Sequence, residues 1–389
     1  MLRLRLLPWE YGLRNLARRP LRSVLTLIGL SLATLLVLAV AGFVGGLEAM
    51  LARTGRDDVV LVFGAGSADS LERSEVGRSV PALLAAGLPN VRRTGDAPHV
   101  SPEAYLGTML QVGSADAPKT LGLVRGVTPA AFLVHPQVYL TDGALPRPGE
   151  VLVGRLAAAK LGVSDDLLRP GGTILFDGQP MRISGRFAAA GTAMEAEVWC
   201  PLDDLLIRTR RTTLSCAAVQ LGPAGSLGDV QAFCQERIDL ELEAVRESDY
   251  YGDMARAYRP IQYLAGLMAA MIAAAGLFGG MNTLYAAVAG RTREFATVQA
   301  LGFGRRAVVV SLLQESLLTA AAAALPAAAV AVFALDGLAV RFTMGAFTLR
   351  IDETALGLGL ATAAALGLLG ALPPAFKALR MPVADALKS

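Results

Sequence analysis

Four long uncharged stretches, unevenly spaced, constrain this chain more than any other feature: residues 23–47, 261–290, 307–335 (broken only by Glu315) and 354–376. Each exceeds the roughly 20 apolar residues that a bilayer-spanning helix needs. One stands near the start, a polar insertion follows, and the other three crowd the last third. An even number of spans returns the chain to its starting side, so both termini and the link between the second and third spans share one compartment. The insertion lies in the other.

Bulk composition agrees with a bilayer: 53% of residues are hydrophobic and only 18% charged, too apolar a balance for an ordinary soluble domain. Segments 1–22, 291–306 and 377–389 together carry 13 basic residues against 3 acidic, whereas residues 47–259 carry 21 basic against 26 acidic. By the positive-inside rule the basic segments are cytoplasmic and the insertion is periplasmic or extracellular. The fold class expected is an α-helical membrane protein with four transmembrane helices and a large mixed α/β extracytoplasmic domain inserted between helices 1 and 2. Arg14, Arg18, Arg19 and Arg22 abut a span, where basic residues meet lipid, so they do not argue for nucleic acid.

The chain should therefore run as a cytoplasmic amphipathic helix (1–22), helix 1 (23–47), the extracytoplasmic domain with its stalk (48–259), helix 2 (260–290), a cytoplasmic link helix (291–306), helix 3 (307–335), a short extracytoplasmic loop (336–353), helix 4 (354–376) and a cytoplasmic tail (377–389). A cleaved signal peptide has an apolar core of only about 7–15 residues, shorter than the uncharged run between Arg22 and Glu48. Before the first span, Trp9, Leu13 and Leu16 lie on one helical face and Arg14, Arg18 and Arg22 on the opposite one, a pattern suited to the cytoplasmic interface.

Within the insertion, short β-branched runs at 57–63 and 150–154 read as strands, and 173–176 with 181–187 reads as a hairpin around Asp177-Gly178, since Asp-Gly supplies the positive φ of a tight turn. Residues 198–200 and 217–221 read as further strands, and 227–238 and 249–258 as helices, the last running almost directly into helix 2 as a stalk. Residues 64–120 show the least pattern and are expected to form a second subdomain or a mobile lobe. Among the spans, the alanine-rich run 320–331 is the composition of helices that pack closely in lipid, while Pro326 and the pair Pro373-Pro374 should kink or end their helices.

Catalytic motifs are lacking. G-x-x-x-x-G-K-[ST], G-x-S-x-G and H-E-x-x-H do not occur, so the sequence predicts neither ATP hydrolysis by this polypeptide nor acid–base or metal catalysis, and assigns no catalytic residue, metal ligand or cofactor. His99 and His135 are expected on the surface. Cys200, Cys216 and Cys234 form no C-x-x-C, and their odd number leaves at least one thiol over even where a disulfide is permitted; no pairing is assigned.

The sharpest local pattern is Arg291-Thr-Arg-Glu-Phe-Ala-Thr-Val-Gln-Ala-Leu-Gly302-Phe-Gly-Arg-Arg306. It reads as a short amphipathic helix with Phe295, Val298 and Leu301 on one face, Gly302 as its left-handed stop, and Arg305 and Arg306 anchoring the entry to helix 3. Such a helix can take a push from a soluble partner and pass it to two spans, in which case Asp at Phe295 and Val298 should abolish the partner's response while leaving insertion intact. Glu315 would stand roughly 12 Å into helix 3, where a carboxylate is paired or faces a cavity; a proton-transport role and pairing with a cytoplasmic-side arginine or a polar neighbour are the two readings. Gly42-x-x-x-Gly46 and Gly276-x-x-x-Gly280 would let helices approach closely, and Gly42 and Gly46 are candidates for a dimer interface.

Residues 291–306 with Glu315 resemble the R-x-R-E-[FIY]-[AG]-x-[LV]-x-A-[LI]-G-[AFY]-x-[RK]-R…E signature of FtsX/MacB-type ABC transporter permeases, a type VII mechanotransmission family. Asn15-Leu-Ala-Arg-Arg-Pro-Leu-Arg-Ser23, Arg125-Gly-Val-Thr-Pro129, Asp142-Gly143…Gly149-Glu-Val-Leu-Val-Gly154…Leu161-Gly162 and the closing Met381-Pro-Val-Ala-Asp-Ala-Leu387 are similar to other parts of such permeases. The resemblance implies a stand-alone permease without a fused nucleotide-binding domain, paired with a second permease copy as a homodimer or paralogous heterodimer and docked on two copies of an ABC ATPase subunit. That ATPase would bind ATP and Mg. Arg291, Arg293, Glu294, Phe295, Val298, Leu301, Gly302, Arg305 and Arg306 would form the coupling helix. The resemblance further implies the bacterial cytoplasmic (inner) membrane, lipid contact, and a periplasmic membrane-fusion adaptor or outer-membrane channel as a further partner. The work done is export or extraction of an amphiphilic or periplasmic substrate, or, alternatively, FtsX-like regulation of a cell-wall hydrolase; the sequence does not name a cargo.

Overall fold

The computed structural model describes residues 20–342 and 345–379, so the amphipathic pattern before residue 20 and the closing motif after 380 lie outside the described residues. The chain divides into two compact units: an α/β unit of Gly46–Arg259 with Ala339–Thr348, and a helical unit of the described residues in Met1–Gly45, Pro260–Leu338 and Leu349–Ser389.

After helix α1 (Pro20–Thr54), the α/β unit is built on one mixed sheet of ten strands: β1 (Val59–Gly64), β2 (Val100–Val112), β3 (Thr120–Val127), β4 (Tyr139–Gly143), β5 (Glu150–Gly154), β6 (Thr173–Phe176), β7 (Gln179–Ala188), β8 (Val198–Pro201), β9 (Cys216–Gln220) and β10 (Leu242–Arg246). Their order is β10-β1-β9-β2-β3-β8-β5-β7-β4, with β6 off this path and paired to β2 and β7. Helix α2 (Leu227–Glu236) starts at a reciprocal capping box between Ser226 and Asp229, which satisfies two of its free amide donors. The expected β6–β7 hairpin is present, and Asp177 and Gly178 both take positive φ.

Residues 64–120 do not form a separate lobe. They contain β2, which bridges β9, β3 and β6 at the middle of the sheet. Its sequence hid it because Pro102, Glu103, Gly107 and Gln111 break the apolar alternation that marks a half-buried strand; Glu103 is nevertheless fully buried. The expected loop 336–353 likewise holds a short antiparallel pair, Ala339–Arg341 with Ala346–Thr348.

The helical unit takes its length from α1, α3 (Glu247–Ala289), α5 (Arg305–Val330, continued by a π-turn to Leu335) and α6 (Glu353–Leu379), with the short α4 (Thr292–Ala300) between α3 and α5. By length and composition four helices can cross a membrane: Ser23–Thr54, Glu247–Ala289, Arg305–Leu335 and Glu353–Lys377. Ala320, Ala323, Ala324, Ala327 and Ala331 form a buried stripe on α5 and its continuation at spacings of three and four. Small residues there let backbones meet: Ser316 Oγ donates to the Gly367 carbonyl (2.6 Å) and Ser31 Oγ to the Ala323 carbonyl (2.7 Å). Leu30, Ala33, Ala323 and Leu366 close the seam between α1, α5 and α6.

No proline ends its helix: α3 continues through Pro260, α5 through Pro326, and α6 through Pro373 and Pro374. A proline deletes one ladder donor, and among packed helices the freed carbonyl finds other partners. Gly276 packs on Ala33, 3.1 Å from where a Cβ would stand, while Gly280 faces open space.

Candidate functional site

The link between α3 and α5 is locked from below. Arg291, at the N-terminal boundary of α4, is only 6% exposed. Its Nε donates to Glu294 Oε2 (3.1 Å), one turn on, and its Nη1 to both oxygens of Glu315 on α5 (3.0 and 3.4 Å). The guanidinium also lies over the Phe295 ring, 5.0 Å from the centroid. Glu315 is thus paired with the arginine that opens α4, the plainer of its two sequence readings.

Phe295 in turn is buried among Val288 of α3, Val308 and Leu312 of α5 and Ala375 of α6, with Val298 partly buried beside it. This corrects the expected shared face. Phe295 points into the helical unit, where an aspartate would disrupt packing before it tested any partner, whereas Leu301 is 72% exposed. Helical spacing groups the three residues, but Leu301 is the C-cap, its amide still bonded to the Thr297 carbonyl (3.0 Å), and it lies beyond the side chains that bury Phe295; Gly302 then takes φ +93°. Arg293, Glu294, Arg305 and Arg306 are exposed with Leu301. The outward surface of the link is therefore one leucine among charges, and the inward surface is an aromatic and an ion-paired arginine.

Gly42 and Gly46 spend their bareness within the chain. A Cβ on Gly42 would stand 2.5 Å from Ile351 Cδ1, and one on Gly46 2.4 Å from the Thr348 carbonyl oxygen. Within the chain, the face each glycine opens is filled by residues 348–351. Gly46→Ala should lower stability by roughly 1–3 kcal/mol, since a backbone carbonyl cannot step aside. Thermal unfolding of the detergent-solubilised chain checks this; an effect that vanished at high protein concentration would point back to a subunit seam.

In the α/β unit, strand register assembles a buried ionic network. Tyr105 of β2 pairs with Arg125 of β3, which pairs with Trp199 of β8, so three neighbouring strands present tyrosine, arginine and tryptophan in one row. The Arg125 guanidinium lies 4.4 Å from the Tyr105 ring centroid and 5.3 Å from that of Trp199. Two residues before each aromatic, on the same face, stand Glu103 and Glu197. Arg125 donates to Glu103 Oε2 (3.3 Å) and Glu197 Oε1 (2.8 Å), Tyr105 Oη to Glu103 Oε2 (2.9 Å), and Trp199 Nε1 to Glu197 Oε2 (2.7 Å).

His135 extends the network from Glu103 Oε1 (3.2 Å) towards Glu247 Oε1 (3.8 Å), the first residue of α3. Glu247 Oε2 accepts from the Arg56 amide (3.1 Å), and Ser248 N donates to the Arg56 carbonyl (3.3 Å). The residues just after α1 are thereby stitched to the first turn of α3, with Gly55 so close that a Cβ would fall 2.5 Å from Ser248 Cα. Burial works to raise the Glu103 pKa, but Arg125, His135 and Tyr105 outweigh it and hold the carboxyl at about 2. The imidazole of His135 is pushed up despite its burial by the bond to Glu103 and the charge of Glu247. Both histidines are buried, not on the surface: His135 serves this network, and His99 bonds Gln220 (2.6 Å) and Thr94 (2.7 Å). Cys200, Cys216 and Cys234 are free and buried, and burial first of all pushes the Cys200 thiol up to about 12 and the Cys234 thiol to about 11.

A profile for the MacB-like periplasmic core domain matches residues 23–235, more than half of the chain, and one for the FtsX-like permease C-terminal domain matches 266–383. The chain belongs to the FtsX/MacB-type ABC transporter permeases. Among solved structures, this permease is similar to the periplasmic region of MacB from Actinobacillus actinomycetemcomitans, at 13% identity over 52% of this chain and 94% of that one, with a TM-score of 0.40. It is also similar to a domain of a putative permease from Porphyromonas gingivalis (16% identity, 48% and 88% covered, TM-score 0.35). A third is the extracellular domain of the transporter YknZ from Gram-positive bacteria (15% identity, 48% and 100% covered, TM-score 0.36). No curated protein matches it. In the sequence Arg125 stood only in a motif of family resemblance and His135 only as an expected surface residue, while Glu103, Glu197 and Glu247 were not singled out; the repeated Glu-x-aromatic pattern at 103–105 and 197–199 was the signal available.

Proposed function

We propose that this permease couples ATP hydrolysis by a separate ABC ATPase subunit to movement of its α/β unit, with the α/β unit outside the cytoplasmic membrane and α4 inside. The observation that carries this is the clamp on α4. Arg291 and Phe295 tie that short helix to α3, α5 and α6, so a force applied to its outer surface displaces the helical unit instead of bending a loose linker. The helix α3 supports the same reading, since it is unbroken from Glu247 to Ala289. Export or extraction of an amphiphilic or periplasmic substrate is the work such motion would do, by two permease copies on two ATPase subunits that bind ATP and Mg. No residue in the most apolar window of α3 is fully buried within this chain, so much of that helix's surface remains open to lipid or to the second copy.

Reconstitution with the ATPase subunit in lipid nanodiscs tests the coupling surface. Leu301→Asp combined with Arg305→Glu should cut stimulation of ATP hydrolysis at least tenfold, about 1.4 kcal/mol of coupling, without changing the melting of the permease itself. Undiminished stimulation in that variant would remove α4 from the coupling role.

A further inference from the structure

The α/β unit contains an open pocket that no part of the coupling mechanism uses. Its empty space, counted with the open solvent at its mouth, is about 590 Å³. Its floor is the sheet face of Tyr105 and Glu197; the first turns of α3 supply Tyr250 and Tyr251, and the 3₁₀ turn at Leu71–Arg73, with the residues before it, supplies Asp69 and Glu72. Leucine and methionine side chains complete the wall.

Two observations give the pocket a sign. Three carboxylates line it with no lysine or arginine, and among the described residues neither Asp69 nor Glu72 enters an ion pair; Glu72 is half-buried. The basic side chains beside it are already engaged: Arg125, beneath the floor, bonds Glu197 (2.8 Å) and lies over the Tyr105 ring (4.4 Å), and Arg211 gives its donors mainly to the carbonyls of Glu72, Ser74 and Tyr105, so the carboxylates left for a ligand are Asp69 and Glu72. Independently, Tyr251 is only 7% exposed and lines the pocket, and no side-chain hydrogen bond from its hydroxyl is found among the described residues. A buried phenol is normally satisfied, so an unsatisfied one in a cavity wall marks where a ligand or water completes it.

We propose that this pocket binds an organic cation with an apolar body, such as a quaternary ammonium. The Tyr250 and Tyr251 rings attract such a cation through their quadrupoles, Tyr105 being already covered by Arg125, the tyrosine and aliphatic walls take its apolar part, and Glu72 and Asp69 supply the counter-charge at the rim. A neutral molecule of the same shape gains only the apolar part of this, and an anion is repelled.

Isothermal titration of benzyltriethylammonium chloride into the full-length permease in nanodiscs tests the assignment, with benzyl alcohol and benzyl phosphate as the neutral and anionic probes. Saturable binding of the cation is expected, at least tenfold tighter than either comparison. Glu72→Gln should weaken it tenfold or more and Tyr251→Phe severalfold, with Ile238→Ser, an exposed position outside the pocket, unchanged. Thermal unfolding of each variant verifies folding. Absence of saturable binding, equal binding of benzyl alcohol, or indifference to both Glu72→Gln and Tyr251→Phe in folded protein would each overturn the proposal. Because this readout needs no ATPase, it stands or falls apart from the coupling mechanism.

Discussion

Replacing Arg125 with methionine should destabilise the α/β unit by about 3–5 kcal/mol, the usual cost of removing one partner from a buried ion pair. The reason is the local charge inventory. Arg125 is the one permanently charged cation in a buried group that also holds Glu103, Glu197, Glu247 and His135, all less than 5% exposed. Methionine fills much of the same volume but strands the carboxylates in a low-dielectric interior. Lysine retains the charge but cannot bridge Glu103 and Glu197 while stacked between Tyr105 and Trp199, so Arg125→Lys should fall between methionine and the parent. Glu197→Gln added to Arg125→Met should restore part of the loss, since it deletes one stranded charge. Urea or thermal unfolding of the full-length permease, followed by Trp fluorescence, reads all three; a methionine variant as stable as the parent would show that the network contributes geometry without stability.

The same network sets a pH dependence. Glu103 has its folded pKa depressed from an ordinary 4.5 to about 2, so its contribution is fully present above the ordinary value and is lost as pH falls towards 2. His135 has its folded pKa raised, so its contribution is present below the ordinary imidazole value of 6.5 and is lost as pH rises through the folded one. Stability of the α/β unit should therefore peak in mildly acidic solution. Tyr105 and Glu247 face the same group, and Glu103→Gln should flatten the acid limb selectively.

The apolar spacing of the spans was legible because helix-length uncharged runs have few other uses, and the Asp177-Gly178 hairpin because a tight turn leaves little choice of residue. The central strand β2 was not, and the reason is chemical. A sheet face that carries Glu103, Arg125 and Glu197 looks polar in the sequence, though the charges neutralise one another and lie buried. Periodicity counts hydrophobicity residue by residue; burial of an ion pair is a property of two strands at once. Likewise His99 and His135 read as loop residues, because nothing near them in the chain announces Gln220 or Glu103 as partners. At the link, α4 itself was visible, yet which of its apolar residues faced inward depended on Val288, Val308, Leu312 and Ala375 of three other helices, which the link's own pattern does not contain.

If α4 couples as proposed, Arg291→Met should uncouple the ATPase from the permease without dissociating it. The outward residues Leu301, Arg305 and Arg306 lie past the end of α4 and do not depend on Arg291 for exposure, so the docking surface survives. What is lost is the clamp: two hydrogen bonds to Glu315, one to Glu294 and the stack on Phe295. A push on α4 then moves the short helix against α5 instead of moving both. Stimulated ATP hydrolysis in nanodiscs should fall at least tenfold, while co-purification of the ATPase stays within about twofold of the parent. Glu315→Gln retains an acceptor for Arg291 and should lose less. The pair Arg291→Glu with Glu315→Arg restores opposite charges across the same gap, and a double-mutant cycle should return a favourable interaction of about 0.5–3 kcal/mol in coupling. If the swap merely added the two single losses, or if Arg291→Met released the ATPase, the arginine would be part of the docking surface and not the clamp that stiffens it.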